Sequence, residues 1–435
     1  MASIIPNLNQ SRRNFLGSAL SLSALGGLSV FEDMTSINVL SNSLHAETLK
    51  KQQKHVILVW LAGGISQLET FDPKPGTETG GPYGSIATKV PGIHISELLP
   101  EVAKRMDKMC LIRSLNTRIA DHTRAAKQMM RGRSNEAVLN YPDLGAVIAK
   151  EMGRRESKVP DYVSFYSPTE GRNEAPGDPG FLGSRYGPMN LYENSSPTDL
   201  IKNSQINDLD FENREQLRQL FSNEFAIGRS SNSLSSHNFA YQRVRGLMAS
   251  EKLFDLSTEP ERVRAKYGKS QFGEQALITR RLIEAGVPFV RLARAWWDSH
   301  SENFETHQEM LPEFDHVFTT LIDDLNDRGL LDHTLIITLS EFGRTPTINP
   351  SMGRDHFASA WSCSLTGCGI QGGALYGKTD AKGEKVIENP VNAATLFATV
   401  FSALGINHQK NYHVGSRPVP LTDPGTEPIN EVLSV

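Results

Sequence analysis

The chain has 435 residues, of which 38% are hydrophobic and 22% charged, with Lys+Arg 45 against Asp+Glu 49 and a formal net charge of -4. That balance leaves no broad basic footprint for nucleic acid, and ordinary Gly and Pro contents exclude collagen-like and Pro-rich disordered chains. No apolar run reaches the roughly eighteen residues of a membrane helix, and three cysteines cannot build a disulfide framework.

Ser11-Arg12-Arg13-Asn14-Phe15-Leu16 places a twin arginine before an apolar stretch running to Val30. This reads as a Tat export signal, so residues 1–46 are expected to be a leader and the Tat translocase a transient partner, with the mature chain periplasmic or secreted. In an oxidising compartment Cys363 and Cys368 could pair, with a buried free thiol as the alternative.

Residues 47–435 are expected to form one α/β domain. His55–Ala62 is a short apolar run ending at Gly63-Gly64, a buried strand and a turn. Lys108–Arg113, Tyr162–Tyr166, Val287–Ala293, Thr334–Leu339 and Trp361–Thr366 are further strand candidates. Helical periodicity is clearest over Glu313–Arg328, closed by Gly329, and recurs over Gln271–Ala285 and Asn392–Leu404. Strands separated by helix-length segments imply a doubly wound, mostly parallel sheet with helices on both faces. A helical insertion is expected at about 199–266, and Gly171–Pro188 reads as a loop.

In such a sheet ligands bind beyond the carboxyl ends of the strands, so the residues following each strand carry the functional reading. After the first come Glu69 and Asp72, potential oxygen ligands that could equally be solvated acids. After the second come Ser114, Thr117 and Asp121-His122-Thr123, where a helix is expected to start. There a hydroxyl could attack or hold an anion, or Asp121 or Thr123 could simply cap the helix. After Val287–Ala293 come Asp298 and His300, whose i, i+2 spacing turns a carboxylate and an imidazole the same way in an extended segment. Such a pair suits a divalent metal: Zn²⁺, Mn²⁺ or Ca²⁺. His307 could share the ion only across a loop, because seven helical residues span about 10.5 Å. After Thr334–Leu339 come Glu341 and Arg344. A bidentate grip on an anion and a structural Glu–Arg bridge are both open for Arg344. Asp355-His356 is another carboxylate–imidazole pair. The candidate metal ligands are therefore Asp72, Asp298, His300, Glu341, Asp355 and His356. The candidate catalytic groups are Thr117, His122 and Arg344.

The leader, Gly-Gly-Ile-Ser-Gln-Leu-Glu-Thr-Phe-Asp-Pro-Lys-Pro from Gly63, Trp-Asp-Ser-His from Trp297, the stretch Leu331–Pro346 and Gly-Arg-Asp-His-Phe from Gly353 together resemble the exported bacterial family DUF1501. That family in turn resembles the alkaline phosphatase and sulfatase superfamily. The resemblance implies metals at the strand ends, with Glu341 in the place of a metal-binding Asp and with Asp298–His300 and Asp355–His356 as ligand-bearing ends. It also puts Thr117 or Ser114 near the nucleophile. Two departures stand out. Phe342 occupies a position where the superfamily commonly has a ligating His, and the Cys-x-Pro/Ala/Ser-x-Arg signature of formylglycine sulfatases is absent. The expected activity is metal-dependent hydrolysis of phosphate or sulfate esters on a small-molecule or carbohydrate substrate. The alternative is a non-catalytic cell-envelope binding or scaffold protein that keeps the fold.

Overall fold

The computed structural model describes residues 53–133, 139–154, 159–166, 177–192, 207–227 and 251–434, with single residues 238, 241 and 246. The expected leader lies outside these residues, as do 199–206 and most of 228–250 of the expected insertion. No described helix is long and apolar enough to cross a membrane.

Eight strands form the central sheet: β1 (His55–Leu61), β2 (Met109–Leu115), β3 (Tyr162–Tyr166), β4 (Met189–Tyr192), β5 (Phe289–Arg294), β6 (Thr334–Leu339), β7 (Trp361–Gly367) and β8 (Leu375–Tyr376). Their spatial order is β8-β2-β7-β6-β1-β5-β3-β4. Only β7 runs antiparallel to its neighbours. The strand β1 is buried along its whole length, which is why it reads as an unbroken apolar run rather than an alternation.

Successive side chains of β1 point to opposite faces and enter two separate cores. Val56, Leu58 and Trp60 join one, and Ile57, Val59 and Leu61 join the other. The eight helices described are α1 (Pro100–Lys104), α2 (His122–Arg131), α3 (Leu144–Met152), α4 (Asp208–Ala226), α5 (Glu261–Tyr267), α6 (Gln271–Glu284), α7 (Asn303–Asp327) and α8 (Ala393–Leu404). Met129 of α2, Ile148 of α3 and Phe397 of α8 belong to the first core. Val102 of α1, Leu282 of α6 and Phe318 of α7 belong to the second. The fold is therefore doubly wound, as the strand–helix alternation predicts.

Helix α7 starts ten residues before the predicted Glu313 and runs through Pro312. Proline removes one backbone donor and usually ends a helix. Here the extra turns bury Phe304, His307 and Leu311, and each large apolar side chain so buried contributes about 1.5–3 kcal/mol, comparable to the roughly 3 kcal/mol that proline costs. The thiols of Cys110, Cys363 and Cys368 are free and buried. Cys363 and Cys368 follow one another along β7 and its end. Five extended residues span about 16 Å, beyond the reach of a disulfide.

Parallel pairing sets the functional edge. Trp60 of β1 is level with Leu339 of β6, and Leu61 with Arg294 of β5. The three strands therefore end together, and the loops leaving them meet at one edge of the sheet.

Candidate metal centre

The loop after β1 holds Gly63 and Gly64 at φ of 107° and 88°, a region open to glycine and costly for other residues. A Cβ on Gly63 would lie 2.6 Å from the Asp298 backbone nitrogen. Glycine thus lets this loop lie directly against the segment that follows β5, where Trp297 N–H donates to Ala62 O at 2.9 Å.

Three imidazoles surround the Asp298 carboxylate. His300 Nε2 lies 3.1 Å from Asp298 Oδ1 and His356 Nε2 lies 3.2 Å from the same oxygen. His122 Nε2 lies 3.3 Å from Asp298 Oδ2. The Nδ1 of each ring faces an oxygen that can only accept. For His300 it is Asp355 Oδ1 at 2.7 Å, for His356 the Ala120 carbonyl at 2.9 Å, and for His122 Glu341 Oε1 at 2.8 Å. Each Nδ1 therefore carries a proton, and in a neutral ring each Nε2 presents a lone pair to the carboxylate. His300 Nε2 and His356 Nε2 are only 3.0 Å apart, and His122 Nε2 is buried without a hydrogen bond of proper angle.

Lone pairs packed around a carboxylate repel one another unless a cation lies between them. The three separations among His300 Nε2, His356 Nε2 and Asp298 Oδ1 approach the roughly 3.3 Å edge of a tetrahedron with bonds of about 2.0–2.1 Å. His122, Asp298 and His356 alone already offer ligand atoms within 4.8 Å of one another. An imidazole held at Nδ1 by a carboxylate or carbonyl, with Nε2 free to ligate, is the usual arrangement around zinc. The residues therefore fit a divalent cation.

Without an ion, charge at the centre balances through protons. Burial disfavours a charged His122, but its hydrogen bonds to Asp298 and Glu341 outweigh burial and push its pKa up to about 9. Burial also opposes ionisation of Asp298. Even so, the His122, His356 and Arg344 contacts hold its carboxyl far below the ordinary range.

Glu341 and Asp355, expected as ligands, each stand one imidazole away from the point where the Nε2 atoms meet. Glu341 also accepts from Gly63 N–H at 2.8 Å and from Ser340 Oγ at 3.0 Å. Phe342 is fully buried. Its ring packs 4.4 Å from that of His356 and 4.9 Å from that of His122, so it braces two imidazoles where a further ligand was considered.

Of the two readings open for Arg344, the contacts match a structural bridge, with Asp298 rather than Glu341 as its carboxylate. Arg344 is fully buried, and its Nη2 donates to Asp298 Oδ1 at 2.5 Å and to Gly63 O. Nε and Nη1 go to Gly64 O at 2.8 Å and Arg354 O at 2.9 Å. Arg354 is equally buried and spends all five donors internally. Two go to Glu69, and three to the carbonyls of Thr345, Pro346 and Thr79. Its own N–H donates to Ser299 O at 3.0 Å. The two arginines thereby tie segment 298–300 to segment 354–356, the strips that carry three of the Nε2 and carboxylate donors.

Other candidates fall elsewhere. Asp72 pairs with Lys74 at 2.9 Å and accepts from Thr379, and no contact joins it to the three imidazoles. The Thr117 hydroxyl lies 3.3 Å from Trp361 Nε1, and no hydrogen bond links it to the cluster. His307 lies within α7, accepts from Ser66 N–H at 3.3 Å and donates to Asn303 O, and is a buried structural group. Asp121 caps α2 by accepting from Arg124 N–H at 3.0 Å. The carbonyl of Ala120, which fixes the His356 tautomer, has no sequence signature.

Several solved structures are similar at low identity. A sulfatase from Pseudoalteromonas sp., PsFucS1, shares 13% identity over 84% of this chain and 72% of its own, with a TM-score of 0.39. The phosphonate monoester hydrolase of Agrobacterium radiobacter shares 13% over 87% and 78%, with a TM-score of 0.33. The alkaline phosphatase from the Antarctic bacterium TAB5 shares 10% over 82% and 98%, with a TM-score of 0.34. At such values the likeness says nothing about chemistry. No curated protein matches the sequence. The family model "Protein of unknown function (DUF1501)" matches residues 53–433, nearly the whole described chain, and the chain belongs to that family.

Proposed function

We propose that this chain is an exported, metal-dependent hydrolase of phosphate or sulfate esters. One observation carries the reading: three imidazoles anchored at Nδ1 turn their Nε2 atoms onto one carboxylate, in the loops that leave the carboxyl ends of the mutually parallel strands β2, β5 and β6. Asp298, His300 and His356 would hold the ion, with His122 completing the set beside Asp298 Oδ2. The nitrogen-rich donors favour Zn²⁺ or Mn²⁺ over Ca²⁺, which takes six to eight oxygens. A bound ion would acidify water and polarise the ester oxygen. Glu341 and Asp355 would fix the tautomers of His122 and His300, and Arg344 would hold the Asp298 carboxylate in position.

A second reading, a non-catalytic metal-binding envelope protein, is favoured by the saturation of Arg344 and Arg354, which leaves neither to grip a substrate anion. The two readings separate in one experiment. Purified mature chain is loaded with Zn²⁺ or Mn²⁺ and assayed on aryl phosphate, phosphodiester and sulfate esters with and without chelator. The hydrolase reading expects turnover that chelation removes and metal restores. Tight metal binding without turnover on any ester supports the second reading.

A further inference from the structure

A cavity of about 660 Å³ opens between segment 116–124, the stretch of chain that also carries His122, and the start of α8. That volume lies in the range of small-molecule sites. Three arginines line it, Arg118, Arg124 and Arg133, against a single acid, Asp423. Arg133 is spent. It pairs with Asp423 at 3.2 Å, donates to the carbonyls of Pro420 and Leu421, and stacks over Tyr141. Arg118 and Arg124 are exposed and make no ion pair among the described residues. The cavity therefore carries two uncompensated guanidinium groups beside an apolar wall that includes Pro390 and Val391.

Both arginines sit on the strip of chain that builds the metal centre. The backbone N–H groups of Thr117 and Arg118 donate to Ala358 O at 2.8 and 3.3 Å. Ala120 O holds His356, and Arg124 lies two residues beyond His122 in α2. Guanidinium forks match the geometry of tetrahedral oxyanions and bind them bidentately. We propose that this cavity is a subsite for an oxyanion group, sulfate or phosphate, carried by the substrate away from its scissile ester. Its use in catalysis rests on the hydrolase reading, whereas its anion binding does not. The expected substrate then bears at least two anionic groups, one presented to the ion and one to Arg118 and Arg124.

The test titrates sodium sulfate and inorganic phosphate into the metal-stripped full chain, followed by calorimetry, for wild type, Arg118→Ala, Arg124→Ala and the double variant. Both side chains are exposed, so unchanged thermal unfolding is expected. Saturable binding is expected in the wild type, weakened at least about tenfold in the double variant. Equal binding in the double variant, or no saturable binding in the wild type, overturns the subsite. Binding that appears only after Zn²⁺ is added and ignores both arginines also overturns it, while leaving the hydrolase reading intact. Arginine-dependent binding in a chain that takes up no divalent metal retains the subsite and removes the hydrolase.

Discussion

Replacing Glu69 with Gln probes the support beneath the metal centre rather than the centre itself. Glu69 and Arg354 are both fully buried and meet through two hydrogen bonds of 2.8 and 3.1 Å. Glu69 also accepts from Asn303 Nδ2 at 3.0 Å. The amide keeps the shape but loses the charge, and turns one donor toward the guanidinium. Breaking a buried pair on one side costs about 3–5 kcal/mol, and Gln retains one acceptor, so a loss of about 3 kcal/mol is expected in urea unfolding of the metal-free protein. Arg354 joins the two ligand strips through Ser299 O and through Arg344, so metal affinity should also fall, by about 10–100-fold, as for other outer partners of ligands. The acid limb supplies a further sign. Burial raises the Glu69 pKa, but Arg354 and His307 outweigh it and hold it below the usual 4.5. Its contribution is present above that pH and is lost as pH falls through the lower folded value, a loss the Gln variant should lack. A variant within about 1 kcal/mol of wild type with unchanged metal affinity would refute the clamp.

Further expectations follow from the same geometry. His122 keeps its proton to about pH 9 in the metal-free protein, so its stabilising contribution is present below 6.5 and is lost as pH rises through about 9. A ligating ion must displace that proton. Calorimetry in buffers of different ionisation enthalpy should therefore show proton release on Zn²⁺ binding near pH 7.5, and His122→Gln should remove it. Asp355→Asn leaves an exposed side chain in place but weakens the acceptor for His300 Nδ1, and should lower metal affinity by about 10–100-fold with thermal unfolding unchanged. Gly63→Ala forces a Cβ against the Asp298 backbone at a positive φ, which should cost roughly 1–3 kcal/mol and displace Asp298, read as lower melting temperature and weaker metal uptake together.

Much of the architecture could be read from the chain, because strands buried on both faces are written as short continuous apolar runs. Tyr162–Tyr166 and Thr334–Leu339 match their strands residue for residue. Helix α3 lacks a polar face, and eight of its nine residues are buried, so it carries no amphipathic signal. The residues of the centre could be found because they follow the carboxyl ends of mutually parallel strands. Asp298, His300, His356 and His122 were all legible on that ground. Their division into ligands and supports was not, since it depends on which ring nitrogen faces which oxygen across separations of more than two hundred residues, as for His122 and Glu341. The role of Arg344 stays open in the sequence for a related reason. Arginine is seldom fully buried, and an Arg beside a strand end reads as a hand for substrate, whereas here two of them fasten the scaffold. Asp72 shares the loop after β1, but its ion pair with Lys74 two residues on takes it out of the centre.

The most direct test is the divalent-metal content and affinity of the purified mature chain, measured by elemental analysis and competitive chelator titration, for wild type and Asp298→Ala. About one Zn²⁺ or Mn²⁺ per chain in the wild type, lost in the variant while circular dichroism stays unchanged, is the predicted result. A wild-type chain that binds neither ion, or a folded variant that binds it as tightly, would contradict the assignment of His122, Asp298, His300 and His356 as a metal centre.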